Sequence, residues 1–163
     1  MRTRPVVIFS NTTPFISLCA IDRLDLLPAL FGRVHVVEAV ARECAAGGVI
    51  QVPALNALEW ITLASSTTGT DPEPMLMQLD EGKKWTLHAA RAANAERLLI
   101  DERIGRIVAE RMGLKVTGTL GVLLKAKQQK MIPSFLEAAQ AMRERGIFFH
   151  AGLIQRLAQS IGE

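Results

Sequence analysis

Val6-Val7-Ile8-Phe9-Ser10-Asn11-Thr12-Thr13-Pro14 opens on four consecutive apolar residues and then turns abruptly polar. A continuous apolar run, rather than an alternating one, predicts a strand buried on both faces. The polar elbow carries helix-capping side chains, and Pro14 suits a first helical turn, so a helix is expected as far as Ile21. The same pattern returns downstream. Leu98-Leu99-Ile100 reads as a buried strand that stops at Asp101-Glu102, with a helix expected over residues 103–112 and Gly113 to close it. Strands separated by helices predict an α/β fold with a mainly parallel sheet covered on both faces.

Working outward, His35-Val36-Val37, Trp60-Ile61-Thr62-Leu63 and Lys115-Val116 are the remaining strand candidates. Further helices are expected over residues 22–30, 38–46, 75–94, 120–130, 133–145 and 151–160, and a loop over 65–74. The 163 residues, 49% hydrophobic and 21% charged, fit one domain spanning 1–163, with 131–163 as a helical extension. Such a composition excludes disorder, and the mixed charge excludes a coiled coil. A formal charge of +3 is too small to mark the whole chain as a nucleic-acid binder. Cys19 and Cys44 lie far apart with no Cys-x-x-Cys pair, which argues against a disulfide framework or a cysteine zinc site. The first apolar stretch is too short for a signal peptide, and no run nears the roughly 18 apolar residues of a membrane span. A cytoplasmic protein is expected.

In folds of this class, ligands gather beyond the carboxyl ends of the strands. That rule singles out Asn11 and Asp101, although either would also serve as a plain helix cap. Two charges fall on expected apolar stripes. Glu43 follows Ala39 and Val40 by four and three residues, and Lys83 sits among Leu76, Leu79, Leu87 and Ala90. Each either reaches water along its own stem, or is paired, or serves a site. Acidic oxygens converging in one cleft would suit Mg²⁺ or Mn²⁺ and metal-dependent phosphodiester hydrolysis. Between Arg103 and Lys130 the chain carries Arg103, Arg106, Arg111, Lys115, Lys125, Lys127 and Lys130 against Glu110 alone. Thr117-Gly118-Thr119 lies inside this basic stretch, with hydroxyls and amides fit to meet phosphate. Trp60 and Trp85 are the candidates for base stacking, while His35, His88 and His150 lack metal-ligand spacing.

Several stretches together resemble PIN-domain proteins, and more narrowly a PIN-like subfamily related to VapC-type toxin ribonucleases. These are residues 10–18, 21–27 and 36–43, then Leu79-Asp80-Glu81-Gly82, Leu98-Leu99-Ile100-Asp101-Glu102-Arg103 and Val116-Thr117-Gly118-Thr119-Leu120-Gly121-Val122-Leu123. The resemblance implies a three-layer α/β/α sandwich and an acidic pocket for Mg²⁺ or Mn²⁺. It also implies cleavage of single-stranded RNA or DNA, and a homodimer held in check by a small antitoxin. Carried over, its acidic positions fall on Asn11, Glu43, Lys83, Asp101 and Glu102. Asn11 offers an amide oxygen without charge, and Lys83 places an ammonium where a carboxylate is expected. The expectation is a weakened site in which Asp101, Glu43 and Glu102 hold at most one ion and Asn11 assists. Thr117, Thr119, Arg103, Arg106 and Lys125 are expected to meet the substrate. The competing reading, favoured by Lys83, is an inactive PIN-like module that binds nucleic acid or protein. A small-molecule phosphate site at Thr117-Gly118-Thr119 is a third, without a glycine-rich fingerprint to support it.

Overall fold

The computed structural model describes residues 6–65 and 71–163. In chain order the elements are β1 (Ile8–Ser10), α1 (Thr12–Ala20), α2 (Leu26–Phe31), β2 (Val34–Val37), α3 (Glu38–Ala46) and β3 (Ile61–Ala64). They continue with α4 (Glu81–Ala92), β4 (Arg97–Leu99), α5 (Arg103–Arg111), β5 (Val116–Thr117), α6 (Thr119–Gln128), α7 (Phe135–Glu144) and α8 (Ala151–Ser160). Every strand pairing is parallel, and the order across the sheet is β3-β2-β1-β4-β5. The expected α/β class is the observed one.

The central strands β1 and β4 form where apolar residues run without a break, because there the sheet is covered on both faces and must bury both sets of side chains. Ile8, Phe9, Val34, Val36, Leu98 and Leu99 are all buried. The helices answer with Phe15 and Leu18 from α1, Leu87 from α4 and Leu123 from α6. The same apolar cluster continues into α7 and α8 through Phe135, Met142 and Ile154.

From β1 to β2 to β3 the chain steps one way across the sheet; from β3 to β4 to β5 it steps the other way. The helices that join the strands cover the sheet, α1 packing with α3 and α6 and α4 packing with α3 and on β1 and β2. The reversal opens a crevice at the carboxyl ends of β1 and β4, which are neighbours in register, Ser10 opposite Leu99. Asn11 and Asp101 follow those two ends.

Two helices differ from expectation. The stretch 22–30 is helical only from Leu26, because Asp22 takes a left-handed turn (φ 54°). The stretch 75–94 is not one helix. Pro74–Leu76 makes a single 3₁₀ turn, and α4 starts afresh after Asp80. Asp80 is extended, and its Oδ1 accepts the Lys83 backbone N–H at 2.9 Å, an N-cap that ends whatever precedes it. Of the expected loop over 65–74, residues 66–70 lie outside the described residues.

Candidate active site

Asn11 sits where β1 becomes α1. Its backbone N–H donates to the Leu99 carbonyl at 2.9 Å, which locks the two strand ends together. The side chain is 4% exposed, and its Oδ1 is buried with no hydrogen-bond partner among the described residues. Asn11 does hold the N-cap position of α1, yet its side chain makes no capping bond. A buried amide oxygen left without a donor costs about 1–3 kcal/mol, so its retention calls for a visiting partner.

Asp101 lies two residues beyond Leu99. Its Oδ1 accepts the Thr119 N–H and its Oδ2 the Thr119 hydroxyl, both at 2.6 Å. Burial pushes its carboxyl above the ordinary range, while the Thr119 bonds and the Arg106 guanidinium pull the other way. A desolvated carboxylate of this kind favours either a proton or a cation. The capping role open to Asp101 in the sequence belongs instead to Glu102. That carboxylate accepts the Ile104 N–H at 2.9 Å and the Gly105 N–H at 2.7 Å, fixing the start of α5.

Glu43 departs from its expected place on a buried stripe: the residue is exposed at the surface of α3. Its carboxylate nevertheless turns inward, with Oε2 accepting the Thr12 hydroxyl at 2.5 Å. It lies over Gly82, where an added Cβ would stand 2.4 Å from Oε1. Thr12 and Gly82 thus position Glu43, a role the sequence pattern assigned to neither because both act only across elements.

Lys83 is half-buried and its Nζ meets Asp80 Oδ2 at 2.5 Å, the ion pair of an i, i+3 step. Its stem passes the N-terminus of α5, with Cδ at 3.4 Å from where a Gly105 Cβ would be. Burial acts to raise the Asp80 carboxyl, but the Lys83 bonds outweigh it and hold the group below its ordinary range.

Of the expected substrate residues, Arg106 and Thr117 line one groove of about 590 Å³, together with the expected metal ligand Asp101 and with Thr13 and Gly118. Thr119 is fully buried and serves Asp101 rather than facing out. Lys125 stands over the Phe31 ring at 4.9 Å. It lines an adjoining groove with Arg97, which donates to the Thr117 hydroxyl at 2.6 Å. Arg103 is exposed at the first turn of α5. Among the described residues, no three Asp, Glu, His or Cys side chains come together as a ready cation cage. The two tryptophans are engaged in packing: Trp60 stacks on Phe15, and the Trp85 indole N–H donates to Glu81.

The sequence profile of the PIN domain matches residues 7–163. The chain belongs to the PIN-domain family. No curated protein and no solved structure matches it. PIN domains are usually nucleases and typically use divalent metals, so nucleic acid is the substrate class that family membership supports. No helix among the described residues is long and apolar enough to cross a membrane. In this PIN domain the carboxyl ends of β1 and β4 carry a buried amide and a half-buried carboxylate, and the lysine of α4 is tied to its own helix cap.

Proposed function

We propose that this PIN-domain protein is a metal-dependent endonuclease for single-stranded RNA, of the toxin type, with a weakened site. The observation that carries the reading is the pair at the strand reversal: the desolvated Asp101 carboxylate and the partnerless Asn11 Oδ1. This donor chemistry fits one hard cation that keeps most of its waters. Mg²⁺ is commonly held by one or two carboxylates together with substrate phosphate. Asp101 and Asn11 would hold it, Glu43 would approach from α3 by way of Thr12, and Glu102 would brace the start of α5. A bound Mg²⁺ or Mn²⁺ supplies an acidified water and neutralises charge on the phosphodiester. Thr119 orients Asp101 with two bonds, and Arg106 on the same groove presents a guanidinium to a phosphate.

A homodimer, a small antitoxin and a cytoplasmic location belong to the same proposal. The exposed Ile104 and Ile107 on α5 offer an apolar strip for a protein partner. We also propose that residues 1–163 form one domain, with 131–163 as its helical extension, in line with the shared apolar cluster. The second reading, an inactive nucleic-acid-binding or protein-interaction module, draws on the Lys83–Asp80 pair, which leaves a cation where an acid is expected.

The test is cleavage of single-stranded RNA with Mn²⁺ or Mg²⁺ by the wild type, Asp101→Asn and Lys83→Glu. The expected result is slow wild-type cleavage that disappears in Asp101→Asn, a loss of at least about a hundredfold, with Lys83→Glu faster than wild type. Equal cleavage by wild type and Asp101→Asn would remove Asp101 from the mechanism. A silent wild type with an active Lys83→Glu would establish the second reading.

A further inference from the structure

The groove beside Asp101 is mostly apolar, and its far wall comes from the stretch between α7 and α8. Phe148 and Phe149 line it with Leu153 of α8, facing Leu120 and Leu124 of α6. Phe148 is 78% exposed and meets the His150 ring edge-on, centroids 5.3 Å apart. An apolar ring so open has no packing role to explain it. In a chain that is only 5% aromatic, two adjacent phenylalanines in one groove stand out.

The charges around the groove decide what suits it. Arg106 lines it directly, and the adjoining groove, which shares Thr117, Gly121 and Leu124, adds Arg97 and Lys125. Aromatic faces flanked by cations match a strand whose bases are free to unstack and whose phosphates need neutralising. A duplex hides the base faces and would leave the aromatic wall unused.

We propose that Phe148 and Phe149 form a base-stacking subsite for single-stranded nucleic acid, next to the phosphate position at Arg106 and Asp101. The inference rests on the nuclease reading of the same site and adds the substrate feature that it recognises. Phe148 supplies the open face, and His150 holds that ring edge-on.

The experiment is fluorescence anisotropy with a labelled 2′-O-methyl oligouridine, which resists cleavage, and an abasic strand of equal length. Wild type, Phe148→Ala and Phe148→Trp are compared in Mg²⁺ buffer, with sedimentation of each protein alongside. The expected result is binding of the uridine strand about ten-fold or more weaker in Phe148→Ala and retained in Phe148→Trp. The abasic strand should bind wild type and Phe148→Ala alike. Unchanged binding of the uridine strand by Phe148→Ala overturns the subsite and leaves the nuclease reading standing. A change of oligomeric state in Phe148→Ala overturns it too, because the ring would then be a contact between copies. Failure of the wild type to bind either strand overturns the nuclease reading, and the subsite with it.

Discussion

Gly82 is in the first turn of α4, where alanine would ordinarily be the better residue by up to about 1 kcal/mol. Here an added methyl group would stand 2.4 Å from Glu43 Oε1, so the flexible glutamate must swing away and lose the Thr12 hydroxyl. Gly82→Ala is therefore expected to melt at the same or a higher temperature than wild type and to cleave at least about five-fold more slowly. Thermal unfolding and cleavage on one preparation would check it, and undiminished cleavage would show that the Thr12–Glu43 contact is incidental. Cys44 makes the opposite point about a conspicuous residue. Burial, with Glu43 and Cys19 nearby, pushes its thiol up to about 12, so it stays un-ionised at neutral pH and has none of the character of a nucleophile.

Helix ends show how single side chains set the elements. Asp80 starts α4 and Glu102 starts α5, each by accepting backbone N–H groups that would otherwise lack partners. At α7 the work is shared. Ser134 Oγ accepts the Glu137 N–H and donates to Glu163, whose carboxylate also accepts the Phe135 and Leu136 N–H groups at 2.8 and 3.2 Å. Burial acts to raise the Glu163 carboxyl, but these bonds and Lys127 outweigh it and hold the group below its ordinary range. A carboxyl depressed in the folded state contributes stability that is present above its unfolded pKa and is lost as pH falls through the folded value. Glu163→Gln should thus lower stability near neutral pH, by less than about 1 kcal/mol because water screens this exposed group. The gap to wild type should close below the ordinary glutamate range. Urea unfolding at pH 7 and pH 3 would measure it, and an equal gap at both would exclude an electrostatic origin.

Across the whole molecule, the arrangement of charge matters more than the net +3. Arg97, Arg106 and Lys125 come from three separate elements, β4, α5 and α6, and reach two adjoining grooves that share Thr117, Gly121 and Leu124. If each meets one phosphate, the logarithm of single-strand affinity should fall with the logarithm of salt with a slope of about −2. Arg106→Gln should make that slope shallower by about 0.7 while leaving base preference alone. A slope near zero in wild type would deny these cations a part in binding.

The sequence by itself determined the strands and the class of fold. Burial on both faces demands uninterrupted apolar runs, and such runs are visible one residue at a time in Val6 to Phe9 and Leu98 to Ile100. It also marked Asn11 and Asp101, because the polar residue that ends a buried strand is local information. The 75–94 stretch misled because apolar spacing continues through a break made by one Asp80 oxygen, and periodicity does not register a cap bond. Glu43 misled for a related reason: the residue is exposed by its place on α3, while its carboxylate turns in to a hydroxyl 31 positions away. Only the tertiary structure decided the strand order, the assignment of Glu102 to α5 and of Asp101 to Thr119, and the groove that joins Phe148 to Arg106. Each depends on contacts between segments remote along the chain, where the free energy of packing chooses among partners that local pattern leaves equivalent.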